Sequence, residues 1–134
     1  MKTQWQEMLL MQAQKVLKYA YAKYSGIHVA AALLCEDGTV FTGVNVENAS
    51  YGLTVCAERN AIFSAVGQGH QHFIGMAIVS DSVHINSPCG ACRQVMMEFS
   101  SDMIVVLDSP AGFYTSTVAD LLPNAFTMQN RKGE

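Results

Sequence analysis

The chain has 134 residues, of which 50% are hydrophobic and 14% charged, with a formal net charge of −3. This length gives one domain, residues 1–134, and one site per chain; the acidic balance, with no Lys/Arg cluster, excludes a nucleic-acid polymer as partner. No apolar run approaches the ~18 residues of a membrane span, so membrane insertion is excluded and the surplus hydrophobic surface is assigned to contacts between copies of the chain.

In chain order, Thr3 and Gln6 read as a capping box that opens an amphipathic helix, with apolar residues at helical spacing from Trp5 to Tyr24 and a stop at Ser25-Gly26. Met1-Lys2-Thr3-Gln4-Trp5 carries no export signal, which places the protein in the cytoplasm with reduced cysteines. The apolar run Val29 to Cys35 pairs with Val40 to Val46 across the turn Glu36-Asp37-Gly38. A second helix runs from Cys56 to Val66, stopped by Gly67 and Gly69, and Phe73 to Ser80 is the third strand. Ser87 as N-cap and Pro88 at the first helical position start a third helix that reaches about Phe99. Met103 to Asp108 is the fourth strand, Phe113 to Ser116 a short fifth, and Val118 to Leu122 a helical turn ended by Pro123. This alternation predicts an α/β fold, a three-layer helix/sheet/helix sandwich with both cysteine-bearing helices at one end of the sheet. Strand order is not legible.

The chemistry lies in Cys56-Ala57-Glu58 and Pro88-Cys89-Gly90-Ala91-Cys92. Three soft ligands and one free carboxylate describe a catalytic zinc, which keeps a position open for water, rather than a structural zinc closed by four protein ligands. Zinc brings the pKa of bound water to about 7, and a nearby Glu58 can carry its protons. Cys-x-Glu followed by Pro-Cys-x-x-Cys is the three-cysteine form of the zinc deaminase signature. Cys89 and Cys92 share one face of a first helical turn, where the macrodipole favours thiolate. Residues two apart on a regular helix diverge, so Cys56 and Glu58 converge only if Cys56 is the cap. Arg59 and Arg93 follow the ligands and are read either as donors to the sulfurs or as surface residues. Cys35, inside an apolar strand, reads as inert core, and His28, His70, His72 and His84 lack ligand spacing.

At these residues the chain resembles the small zinc-dependent cytidine deaminases with three cysteine ligands. The likeness extends over Tyr24-Ser25, Ala31 to Leu34, Gly43 to Gly52, Cys56 to Arg59, Ser87 to Gln94 and Leu121 to Phe126. It implies a five-stranded mixed sheet between helices, one Zn2+ per chain, and a homotetramer whose sites are completed by neighbouring subunits. The implied reaction, in pyrimidine salvage, is hydrolytic deamination of cytidine and 2′-deoxycytidine, with zinc-activated water attacking C4 and Glu58 moving the protons. By the same resemblance, Asn45 and Glu47 hold the ribose hydroxyl, and backbone near Ala57 and Cys89 holds the base edge. Ala49 and Tyr51 are given to a neighbour's site, and Phe126 lies over the pyrimidine of another subunit.

One segment departs from the pattern. Tyr24-Ser25-Gly26-Ile27-His28-Val29-Ala30 stands where the family has an aromatic residue followed by Pro-Val-Gly. Ile27 keeps apolar area against a base but loses stacking, and this admits an alternative substrate, a modified cytosine nucleoside or an aminonucleoside antibiotic of the blasticidin kind. Two other readings differ in class: a non-enzymatic zinc module closed by Cys35, and a thiol–disulfide enzyme using Cys89 and Cys92.

Overall fold

The computed structural model describes residues 2–128. Five strands form one mixed sheet in the order β2-β1-β3-β4-β5: β1 Val29–Cys35, β2 Val40–Val44, β3 Phe73–Ser80, β4 Ile104–Ser109 and β5 Gly112–Thr117. Only β3 and β4 are parallel; the other three neighbouring pairs are antiparallel. A parallel pair needs a crossover, and α3 (Gly90–Phe99) supplies it. Every residue of β1 is buried, as a central strand covered on both faces requires.

The two faces carry separate cores. On one, Leu9, Leu10 and Ala13 of α1 (Gln4–Val16) pack on Ala30, Ala32, Leu34, Ala77 and Val79. On the other, Ala57, Ala61 and Ile62 of α2 (Ala57–Gly67) and Cys92 and Met96 of α3 pack on Ala31, Leu33, Met76, Ile78 and Val105. The three-layer sandwich follows from this division, and α4 (Val118–Leu121) closes the second face through Val118. No described helix is long and apolar enough to cross a membrane.

Thr3 and Gln6 form the capping box of α1 as expected. The helix is shorter than its sequence pattern, ending at Val16 with a single 3-10 turn at Leu17–Tyr19. Beyond it the backbone of Tyr21 finds a strand partner instead, donating to the Asn45 carbonyl and accepting from the Glu47 N–H. Tyr19, Tyr21 and Tyr24 remain exposed, so no buried face extends the helix. β2 stops two residues earlier than expected because Asn45 turns inward and bonds across to the start of β1.

α3 also starts later than predicted. Cys89, extended at φ −69° and ψ 165°, is the N-cap, and its sulfur accepts from the Cys92 N–H at 3.4 Å. The thiol occupies the role that Ser87 was expected to fill. α2 also begins after a cysteine, with Cys56 as N-cap in extended geometry but without a capping bond to its sulfur. Both helix starts lie beside the carboxyl ends of the parallel strands β3 and β4, the usual crevice for ligands in open α/β sheets.

Gly43 sets how closely α2 lies on β2. A Cβ there would stand 2.5 Å from both the Ala57 carbonyl oxygen and the Ala61 nitrogen, which are backbone atoms that cannot rotate aside. Gly43→Ala is expected to displace the helix carrying Cys56 and Glu58 and to destabilise the fold by about 1–3 kcal/mol. A urea midpoint equal to that of the wild type would show that the contact is loose.

Candidate active site

The sulfurs of Cys56, Cys89 and Cys92 all lie within 4.8 Å of one another. Cys56 and Cys89 are 3.7 Å apart, and Cys89 donates to Cys92 at 3.4 Å. Two helix N-termini aim partial positive charge at this cluster. Arg59, one turn into α2, adds a full charge, with a terminal guanidinium nitrogen 3.4 Å from the Cys56 sulfur. A hydrogen bond from Cys92, opposed by burial and reinforced by Arg59, lowers the Cys56 pKa to about 5. The same bond and burial push Cys92 up, because it supplies the proton. Thiols this close do not all ionise unless a cation replaces their protons.

Glu58 is 5% exposed and lines the same cleft. Burial pushes its carboxyl up to about 7; its own backbone N–H and Arg59 pull it down, while the charge of Cys56 adds to the rise. Glu47, in contrast, is held low by the Ser25 hydroxyl and the backbone N–H groups of Ser25 and Tyr24. The sequence thus places two carboxylates in opposite environments, one poised to exchange a proton and one kept ionised.

The cleft has a volume of about 230 Å3, below the ~300–1,000 Å3 of pockets for drug-sized ligands. It suits one small molecule. Ile27, Val29, Asn45, Glu47, Cys56, Ala57, Glu58 and Cys89 are among its lining residues. A larger cavity of about 670 Å3 opens at the far end of the sheet, around Phe73, Phe99 and Asp102, and contains none of these groups.

Similarity to known proteins decides what this arrangement belongs to. The family model for the cytidine and deoxycytidylate deaminase zinc-binding region matches residues 3–108. A cytidine deaminase of Sporosarcina psychrophila is 46% identical over 126 residues, covering 92% of this chain and 93% of the relative. The chain belongs to this deaminase family. Among solved structures, the cytidine deaminase of Burkholderia pseudomallei superposes with a TM-score of 0.86 at 44% identity, covering 93% of this chain and all of the other. A blasticidin-S deaminase of Bacillus cereus is 32% identical over 108 residues, covering 75% of this chain and 77% of the relative.

Zinc is the cofactor of this family, and the donor set fits it. Tetrahedral Zn–S bonds of about 2.3 Å put neighbouring sulfurs about 3.8 Å apart, close to the two spacings found here. Cys35 is buried in β1, inside the core, and takes no part in the cluster.

Not every expected residue reaches the cleft. Ala49 is exposed on the loop after β2, and Phe126 is 69% exposed, with its carbonyl accepting from Gln94. Tyr51 walls an adjoining hollow with Tyr24, Ser25, Glu47 and Thr54, beside the cleft of its own subunit. Of the two arginines read as sulfur donors or surface residues, Arg59 bonds a sulfur and Arg93 bonds elsewhere. The Arg93 guanidinium binds the carbonyls of Pro88 and Leu121, at 2.8 and 2.7 Å, and the Ser87 hydroxyl. One position past Cys92, the side chain leaves the helix toward the C-terminal segment and braces the turn before Cys89. Sequence reasoning passed over Thr54 and Ile85, which line the cleft from loops without motif spacing.

Purified protein is expected to hold zinc in stoichiometric amount, and Cys89→Ala to lose most of it with a lower melting temperature, as read by inductively coupled plasma mass spectrometry and thermal unfolding. Full zinc retention in that variant would remove Cys89 from the ligand set.

Proposed function

We propose that the protein hydrolyses the exocyclic C4–N bond of cytidine and 2′-deoxycytidine, forming uridine or 2′-deoxyuridine and ammonia. The observation that carries this reading is the buried Glu58, with its raised pKa, beside an open three-sulfur cluster at the base of a small cleft. Cys56, Cys89 and Cys92 hold the metal, and Arg59 draws charge from the Cys56 sulfur. When bound, zinc supplies a Lewis acid that brings the pKa of a coordinated water to about 7.

Glu58 does the proton work. It accepts a proton from the attacking water, delivers it to N3 of the base as C4 becomes tetrahedral, and then takes the proton of the new C4 hydroxyl and passes it to the departing amine as the C4 carbonyl forms. A carboxyl near neutrality serves both directions, since it holds and releases a proton at little cost. Ile27 and Val29 provide the apolar wall for the base, and backbone near Ala57 and Cys89 fixes its polar edge. At the other end, Asn45 gives one N–H to the Ile27 carbonyl and one lone pair to the Val29 N–H. The second N–H and lone pair stay available to a sugar hydroxyl, as does spare accepting capacity on Glu47.

Cytidine is favoured over a blasticidin-like substrate by the higher identity to the cytidine deaminases and by the ionised Glu47 at the sugar end. The exposed Tyr19, Tyr21, Tyr24, Tyr51 and Leu53 support a homotetramer with shared sites, to which Ala49, Tyr51 and Phe126 contribute across subunits. Sedimentation velocity is expected to give a species of four chains, and a monomer at micromolar concentration would overturn that assembly.

Glu58→Gln is expected to keep fold and zinc while kcat falls ~10²–10⁴-fold. Undiminished turnover would take Glu58 out of the mechanism. Cytidine and deoxycytidine should both be converted, because the sugar contacts are assigned to the 3′ side rather than the 2′-OH; ultraviolet assays showing strict rejection of either would contradict the assignment.

A further inference from the structure

We infer that His28 and Asp81 are a positioning pair that fixes one wall of the substrate cleft from outside it. The inference rests on the deaminase reading above for what the cleft binds. Ile27 and Val29 line the cleft, and His28 lies between them. Residues 26–28 belong to no helix or strand, so the Ile27 part of the wall, unlike Val29 at the start of β1, has no regular structure of its own to hold it there.

Two sets of contacts replace that support. From the inner side, Asn45 accepts from the Val29 N–H at 2.9 Å and donates to the Ile27 carbonyl at 2.8 Å. From the outer side, the His28 N–H donates to Asp81 Oδ1 at 3.1 Å, and His28 Nδ1 lies 2.8 Å from Asp81 Oδ2. The Ser80 hydroxyl closes the grip by donating to the His28 carbonyl at 2.7 Å. Ser80 ends β3 and Asp81 follows it directly, so the outer post stands on a central strand of the sheet. Hydrogen bonds from the His28 backbone and ring outweigh partial desolvation and keep the Asp81 carboxyl low, hence ionised.

The sequence departure at this point now has a physical content. Proline at position 28 fixes φ but offers no N–H to Asp81 and no ring nitrogen to its second oxygen. Histidine replaces that covalent restraint with a two-point tether. Zinc ligands and Glu58 stand on α2 and α3, apart from the tether, so loosening it disturbs where the base lies more than how it reacts. A mobile wall must be ordered when substrate binds, and that loss appears in KM.

His28→Ala, which removes the ring contact and keeps the backbone one, is expected to raise KM for cytidine about fivefold, the size of one hydrogen bond of ~1 kcal/mol, and Asp81→Ala, which removes both, to raise it further, with kcat within about twofold of wild type in each. Asp81→Asn keeps an acceptor for the His28 N–H and should restore most of the affinity. The double alanine variant should be no worse than Asp81→Ala alone. Unchanged KM, a fall in kcat alone, or fully additive losses would overturn the pair. Hydrogen exchange gives a reading independent of turnover: Asp81→Ala should speed exchange of the amides of residues 25–29 and leave α2 unchanged. Unaltered exchange would overturn the tether even in an active enzyme. Faster exchange in a protein whose wild type does not deaminate cytidine would support the tether and refute the assigned reaction.

Discussion

Three sulfurs held within 4.8 Å of one another are the constraint around which this end of the molecule is arranged. Thiolates repel, and thiols so placed share protons unevenly, as the opposite displacements of Cys56 and Cys92 express. Backbone dipoles and Arg59 offset part of that repulsion, and a divalent cation removes the rest. Two helix starts must therefore meet at one point, and the sheet order β2-β1-β3-β4-β5 brings them there. Gly43 on one side and the Arg93 brace on the other hold them at that separation.

Two of the three clustered sulfurs belong to the residues that precede the helices, which ties local backbone geometry to a site able to hold a metal ion. A cysteine in extended conformation before the first helical residue presents sulfur to the region where the unpaired N–H groups point. Glu58, inside the first turn of α2, is carried into the same space and buried there. Burial that would penalise a structural carboxylate gives this one its useful proton affinity. Glu47 remains in contact with solvent and with three donors, which keep its carboxylate ionised.

The metal site was legible in the sequence because it is local in pattern: Cys-x-Glu and Cys-x-x-Cys each fit within one helical turn, and the need for Cys56 at a cap follows from helix geometry alone. The strand interiors were legible too, since Val29 to Cys35 and Phe73 to Ser80 are continuous apolar runs. What escaped depends on partners distant in the chain. Tyr21 leaves the helix because Asn45 and Glu47 offer its backbone a ladder, Arg93 turns toward Leu121, and His28 meets Asp81. No spacing rule announces contacts across 53 positions. The start of α3 was misplaced for a subtler reason: Ser87-Pro88 is a strong N-terminal signal, but the thiol of Cys89 competes for the cap and wins.

The face opposite the metal carries a feature with a practical meaning. Trp5, the sole tryptophan of the chain, lies where a side chain on Gly75 would have to be, so the indole rests directly on the backbone of β3. Its fluorescence therefore reports whether the outer helix layer is seated on the sheet, without contribution from the catalytic layer. Comparing that optical signal with loss of the ion during heating would reveal whether the two layers melt as one cooperative unit or peel away in turn.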